Sequence, residues 1–380
     1  MLFRSACRMK NKKIFGGVPA VAEDLRRRIG QGDWKTGERT PSSRELAETY
    51  GVSLGTVSRA IAILKNEGLL SAASGSGIYL ASKYSASIRT ERLTFAILVD
   101  QWRFKCVSPS ELIQNYLLNL FNDLILGIQK RSSELKITTT LHLIPDDAYA
   151  KEKEYRAFLE SAVKGADGVL AVNADCFQKI ADVVQVPLVF LNCCTYTKEY
   201  YNYNVILPDF YISTCAVTEH LVQRGYRKIG FVGSLDEHLQ TYALRRNGFL
   251  DTLHASGLEL NPAHHFRVAE NFYDMCEIAD KIFNLPKRER PDALFCVSDL
   301  RALALQESFR RKGIKVPDEI ALAGFDGSES AVRNRLTSAA QPLLEMGIRG
   351  IDTLVMLLQN PGTGPVFQMM NCPTFIGETT

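Results

Sequence analysis

The stretch Gly37–Leu80, GERTPSSRELAETYGVSLGTVSRAIAILKNEGLLSAASGSGIYL, reads as helix, tight turn, helix and glycine-tipped hairpin. Ser42 and Ser43 stand where a serine oxygen satisfies the first free N–H groups of a helix, which is expected to run to about Tyr50. Gly51 supplies the left-handed residue after it. Ser53 caps the next helix, where Val57, Ile61 and Leu64 recur at helical spacing and leave Thr56, Ser58 and Arg59 facing elsewhere. Gly68 stops that helix, and the tip Ser74-Gly75-Ser76-Gly77 joins two short strands, Leu69–Ser71 and Ile78–Leu80. A helix-turn-helix lays its second helix in the major groove of DNA. A glycine-tipped wing approaches a sugar-phosphate backbone closely because no side chain intervenes.

Charge supports this reading. Residues 1–90 carry 15 Lys and Arg against 7 Asp and Glu, a net +8, while the remainder carries 30 against 35, a net −5. A basic head on an acidic body is the electrostatic footprint of a phosphate-binding module joined to something else. Arg26, Arg27 and Arg28 fall in a first helix from about Ala20 to Gly30, and Arg39 and Arg44 flank the second. Such arginines position a protein on the DNA backbone without reading sequence. The DNA-facing set is therefore Arg39, Ser42, Arg44, Ser53, Thr56, Ser58, Arg59, Ser74, Gly75 and Ser76. The alternative is a small helical bundle with no nucleic-acid role.

From residue 18 to about 82 the chain resembles the winged helix-turn-helix of the GntR family of bacterial transcription regulators. The family pattern is matched by Gly37, Pro41-Ser42, Arg44, Leu46-Ala47, Val52-Ser53, Thr56-Val57, Ala60-Ile61, Glu67-Gly68-Leu69, Gly75 and Gly77. Three departures stand out. Leu54 occupies a position where a DNA-contacting arginine is usual, Ser58 one where a second often stands, and Thr40 replaces a leucine. Arg59 is shifted by one residue, about 100° round the helix, so its place in the DNA-facing set is not that of the missing arginine.

With 380 residues and 46% hydrophobic content, the chain can form two or three domains with substantial cores. No run approaches the ~20 apolar residues that span a bilayer, and no membrane partner is expected. The first 17 residues are basic without an apolar stretch and read as a tail, with Met9 an alternative start. The nine cysteines form no C-x-x-C and have no histidine at zinc-like spacing, so no metal or other cofactor is expected. They read as reduced thiols of a cytoplasmic protein, the vicinal Cys193-Cys194 pair being the one redox alternative.

Residues 83–91 are polar and read as a linker. Beyond them, apolar runs such as Leu93–Val99, Gly168–Val172, Lys228–Val232, Ala293–Val297 and Ile320–Phe325 alternate with helical patterns, the signature of βαβ units around parallel sheets. Two segments resemble the ligand-binding domain of the LacI/GalR repressors. One is Glu219–Ser234 followed by Leu244–Leu258, and the other is Arg290–Ala331 leading to Leu336–Gly347. The combination is similar to the arabinose-repressor type of GntR regulator.

The resemblance implies an α/β protein: an N-terminal winged helix-turn-helix plus a two-lobed, Rossmann-like periplasmic-binding-protein fold. The expected division is a tail at 1–17, a DNA-binding domain at 18–82, a linker at 83–91 and an effector and dimerisation domain at 92–380. Lobe 1 is expected at about 92–225 plus 325–341, and lobe 2 at about 226–324 plus 342–380. It also implies a cleft lined by Arg245, Asp299, Phe272, Asp209 and Asp100. A carboxylate and an arginine fork suit polyol hydroxyls, and an aromatic face suits the C–H side of a sugar ring. Each has a plainer reading: Arg245 as a surface ion pair, Asp299 as a helix cap, Phe272 as core. Asp326 reads as a turn or hinge residue.

The function so implied is a ligand-responsive repressor, a homodimer on inverted-repeat operator DNA, with a small effector that is most simply a sugar. An enzyme with a DNA-binding head and a plain solute-binding protein are the alternatives. The histidines His220, His238, His254, His264 and His265 have no paired nucleophile and read as structural or exposed.

Overall fold

Ser42 makes the reciprocal cap its sequence suggests. Its Oγ accepts from the Glu45 amide at 3.3 Å, while the Glu45 carboxylate accepts from the Ser42 amide at 2.7 Å. In the computed structural model the chain divides into two units, Met1–Glu91 and Arg92–Thr380. Residues 17–30, 34, 40–66, 69–73, 77–80, 93–100, 111–145, 151–174, 177–193, 201–234, 240–268 and 272–380 are described.

The first unit comprises α1 (Val18–Gly30), α2 (Ser43–Tyr50), α3 (Leu54–Asn66) and an antiparallel hairpin of β1 (Leu70–Ala73) and β2 (Gly77–Leu80). Gly51, at φ 68°, ends α2, and the Thr56 amide donates to Ser53 Oγ at 3.1 Å to start α3. Val21, Leu25, Leu46, Tyr50, Val57, Ala60, Ile61 and Leu64 form its core. Thr40 is buried, and both its amide and its hydroxyl donate to the Ile78 carbonyl, tying the entry of α2 to the wing. A leucine there would pack but could not make the hydroxyl bond.

The second unit holds two six-stranded sheets. The first is wholly parallel and runs β13-β7-β6-β5-β3-β4. Its strands are β3 (Thr94–Asp100), β4 (Thr138–Ile144), β5 (Gly168–Val172), β6 (Leu188–Leu191), β7 (Asn204–Pro208) and β13 (Phe367–Met370). The second runs β14-β12-β11-β10-β8-β9. Its strands are β8 (Ile229–Ser234), β9 (His265–Val268), β10 (Ala293–Cys296), β11 (Ala321–Asp326), β12 (Thr337–Ala340) and a short antiparallel β14 (Thr374–Phe375). Both faces of each sheet are covered. Phe95, Ile97 and Val99 pack under α4 (Glu111–Glu134) and α12 (Leu343–Gln359). Ala96 and Leu98 pack against α5 (Glu152–Ala162) and α6 (Phe177–Ala181). In the second lobe α7 (Phe210–Gln223) and α8 (Gln240–Ala255) take one face. There α9 (Phe272–Asn284) and α10 (Asp299–Arg311) take the other, and the short α11 (Glu329–Arg333) follows β11.

This arrangement corrects the expected lobe limits. Residues 210–225 belong to lobe 2, because Phe210, Val217 and Leu221 bury against Phe231 and Phe249. Residues 325–340 also stay there as the ends of β11 and β12. Residues 343–370 return to lobe 1. Their anchor is a backbone-to-backbone approach of α12 and α4: a Cβ on Gly127 would lie 2.0 Å from the Leu344 carbonyl oxygen, and one on Gly347 2.3 Å from that of Leu124. The chain therefore crosses between lobes three times, around Asp209, Gln341 and Cys372. Among the described residues, no helix is long and apolar enough to cross a membrane.

Candidate effector cleft and nucleic-acid interface

Open parallel sheets present ligands at the carboxyl ends of their strands. In lobe 2 those ends bring together Val297, Asp326 and Gln341, and Arg245 reaches them from α8. Its Nη2 lies 3.2 Å from Asp326 Oδ1, and the two side chains are 5% and 7% exposed. Its Nη1 donates to the Val297 carbonyl. The guanidinium sits 3.9 Å from the Phe325 ring centroid and 4.8 Å from that of Phe210. Gln341 Nε2 donates to the same Asp326 Oδ1 at 2.7 Å. Two buried atoms of this cluster, Arg245 Nε and Gln341 Oε1, have no hydrogen-bond partner among the described residues. One is a donor and the other an acceptor, and buried polar groups left so are costly.

Asp326 is held at φ 125°, a region that costs a residue with a side chain of order 1–3 kcal/mol. Gly327 follows at φ 66°, and a Cβ there would lie 2.4 Å from Ala340 Cα, so the turn closes directly on the end of β12. Asp326, read from sequence as a turn or hinge residue, is the last residue of β11, immediately before that turn, and is the charge partner of Arg245.

Asp299 is elsewhere. It is the first residue of α10 and fully buried, with Ser298 rather than Asp299 in the cap position. One oxygen accepts from Ser338 Oγ at 2.6 Å and the other from the Ser328 amide at 2.8 Å. Gly324 passes so close that a Cβ would lie 2.4 Å from Oδ1. The carboxyl group thus braces β12 and the turn after β11, and the structure does not bring it to the cleft surface. Burial and the nearby charge of Asp326 push its carboxyl up to about 8.

Asp209 caps α7, accepting from the Ile212 amide at 3.0 Å, and its own amide donates to the Met370 carbonyl at 2.7 Å, joining two crossings. Asp100 is buried at the end of β3 in lobe 1. Phe272 opens α9, and its side chain lies outside the described residues. Sequence reasoning missed Gln341 and two asparagines on lobe 1. Asn173 and Asn192 follow β5 and β6 at φ 55° each, and Asn192 Nδ2 donates to Asn173 Oδ1 at 3.0 Å. The signal was an asparagine directly after a buried strand, a residue that tolerates the left-handed region.

On the head, Arg44, Ser58 and Arg59 are exposed. Ser42 and Ser53 are engaged in starting helices, and Ser53 Oγ and Thr56 Oγ1 lie 2.9 Å apart. Arg26 and Arg27 pair with Glu23 and Asp24, and Arg28 lies over Trp34, so much of that basic run is internally compensated. Arg39, Ser74, Gly75 and Ser76 lie outside the described residues. Among the described residues Cys193, Cys215, Cys276, Cys296 and Cys372 are free thiols, and no group of His, Cys, Asp or Glu is placed to hold a metal. His220 and His264 bond internally, to the Thr380 hydroxyl and the Glu289 carbonyl.

Residues 19–80 match the model of bacterial regulatory proteins of the gntR family, and residues 218–380 that of the periplasmic binding protein-like domain. The chain is 23% identical to the arabinose metabolism transcriptional repressor of Geobacillus stearothermophilus over 360 residues, 92% of this chain and 93% of that one. It is 27% identical to catabolite control protein A of Staphylococcus aureus over 217 residues, 55% and 63% of the two chains. Among solved structures it is similar to the transcriptional regulator CelR in complex with cellobiose, at TM-score 0.61 and 20% identity, covering 90% of this chain and all of that one. It is also similar to the lac repressor dimer bound to operator and an anti-inducer, at TM-score 0.59 and 17% identity, covering 77% and 95%. Fold, head and relatives together define a DNA-binding transcription regulator with an effector body. More narrowly, the chain joins a GntR-type head to a LacI-type, periplasmic-binding-protein-like body.

Proposed function

We propose that this regulator is a cytoplasmic repressor that binds an inverted-repeat operator as a homodimer and responds to a sugar held between its lobes. The observation that carries the effector reading is the Arg245–Asp326–Gln341 cluster at the interlobe crossings. The crossings are bonded to one another: the Ala340 amide donates to the Pro373 carbonyl at 2.8 Å, and the Cys372 amide to Ser213 Oγ at 3.0 Å. Gln341 is itself a crossing residue, and its amide donates to the Asp326 carbonyl at 3.1 Å. A hydroxyl that engages Arg245 Nε or Gln341 Oε1 therefore acts on groups bonded into the hinge. A polyol hydroxyl supplies donor and acceptor from one oxygen, which suits a cluster that holds one unmatched donor and one unmatched acceptor. Asp209 and, from lobe 1, Asp100 and the Asn173–Asn192 pair complete the polar lining. Asp299 supports it from behind, as the brace of the Asp326 turn.

The dimer reading rests on lobe 1. Leu141 and Leu143 on the edge strand β4 register with Ile97 and Val99, so they share the face covered by α4, yet they are 50% and 46% exposed. Leu126 on α4 is 55% exposed. A second copy of the chain would cover this apolar surface, and two-fold symmetry would make the operator an inverted repeat.

A thermal-shift screen of mono- and disaccharides tests the effector reading. A ligand at 100 times its Kd stabilises the folded state by about 2.7 kcal/mol, and Arg245→Ala is expected to abolish the shift. A panel that leaves the wild type unmoved, or an Arg245→Ala variant that shifts normally, contradicts it.

A further inference from the structure

Leu54 opens α3 and is 47% exposed. At 100° per residue, Val57, Ala60, Ile61 and Leu64 turn one face of α3 to the core, where all four are buried. Gly55, Ser58, Arg59 and Ala62 turn outward and are exposed. Leu54 stands at the N-terminal boundary of the two faces, about 40° from Ser58 and about 20° from Ile61, and its exposure comes from its place in the first turn. The N-terminal residues of a recognition helix are the ones that meet base edges.

The chemistry available there is narrow. The Ser53 and Thr56 hydroxyls lie 2.9 Å apart, bonded to each other at the start of the helix. Arg59 Nε turns back to the Gly55 carbonyl at 3.3 Å. Between Leu54 and Lys65 there is no Asn or Gln to match adenine and no Asp or Glu to accept from cytosine. What α3 offers at its leading corner is a branched apolar side chain. The one apolar feature a base pair shows in the major groove is the C5 methyl group of thymine.

We propose that Leu54 is a specificity-determining residue that packs on a thymine methyl in each operator half-site, so that the chain selects thymine where an arginine would select guanine. The inference rests on the DNA-binding reading of the head. Removing one buried methyl costs about fourfold in affinity per half-site, and about fifteenfold over a symmetric operator, at ~0.8 kcal/mol per methyl.

The test uses the full chain. An operator is selected from a random duplex library, and each thymine is then replaced in turn by deoxyuridine, which removes only the methyl group. One thymine per half-site is expected to show the fourfold loss. Leu54→Ala is expected to bind the thymine and uracil forms of that position equally, both at the weakened affinity that the wild type shows for the uracil form, with an unchanged thermal midpoint. Specific binding with no methyl-sensitive position, or a methyl effect that survives Leu54→Ala, overturns this inference and leaves the DNA-binding reading standing. Absence of DNA binding at any salt concentration overturns both.

Discussion

Asp326→Asn, →Ala and →Gly separate the two things this residue does. Its carboxylate holds Arg245 at 3.2 Å and Gln341 at 2.7 Å, with both partners of the ion pair almost out of water. Breaking a buried pair by removing one partner costs about 3–5 kcal/mol. The Val297 carbonyl and the Phe325 and Phe210 rings still compensate the guanidinium. Asp326→Ala therefore falls near the lower limit, about 3 kcal/mol. Asparagine keeps an acceptor for Gln341 and loses the charge, for about 2 kcal/mol on the scale of hydrogen bonds to charged groups. Glycine loses the pair as alanine does, but it relieves the backbone at φ 125°. That relief is about 1–3 kcal/mol, offset by up to about 1 kcal/mol of unfolded-state entropy. Asp326→Gly is thus expected to be more stable than Asp326→Ala by about 1–2 kcal/mol. Urea unfolding of residues 92–380, followed by far-ultraviolet circular dichroism, measures all three. Alanine and asparagine variants within about 0.5 kcal/mol of wild type, or a glycine variant no better than alanine, would refute the reasoning.

Four further outcomes are expected. Asp299 has its carboxyl raised from 3.8 to about 8 in the fold, so its contribution to stability is present below pH 3.8 and is lost as pH rises through 8; Asp299→Asn, which does not titrate, should cost more at pH 5 than at pH 8.5 in urea unfolding, and a pH-independent cost contradicts the assignment. Ser42→Ala removes half of a capping box and should destabilise the head by about 1 kcal/mol, read as a lowered thermal midpoint of the first transition. Arg44→Ala should weaken operator binding by about 1–3 kcal/mol if the exposed arginine meets a base edge, and unchanged anisotropy titrations remove it from the interface. Leu143→Asp on the exposed face of β4 should shift the full chain toward monomer in sedimentation velocity at micromolar concentration, and an unchanged sedimentation coefficient moves the dimer interface elsewhere.

The strands of the body were legible because parallel strands covered on both faces read as continuous apolar runs: Leu93–Val99 anticipated β3, and Ile320–Phe325 anticipated β11. The head was legible for a different reason, since capping and turn residues act locally; Ser42, Gly51 and Ser53 do their work within four residues of themselves. Lobe membership after Gln341 was not legible. It depends on α12 meeting α4 through Gly127 and Gly347, more than 200 residues apart in the chain. In the cleft, the R-x-x-G-F spacing marked Arg245, and Gly248 explains the pattern: a Cβ there would lie 2.5 Å from the Tyr211 carbonyl oxygen, so the spacing records close packing of α7 on α8. Asp299 was found by position after a strand, but its destination depended on Ser328 and Ser338, which no local pattern connects to it. Asp326 was read only as a turn or hinge residue and Gln341 was not singled out, because what joins them to Arg245 is tertiary placement that no local pattern records.

The most direct test is operator binding by the full chain, measured by fluorescence anisotropy with and without a saturating concentration of the sugar that raises the thermal midpoint most. Coupling between the two sites is expected to change operator affinity by about 5- to 150-fold, and Arg245→Ala is expected to bind operator normally and ignore the sugar. Identical operator affinity with and without that sugar would contradict the account.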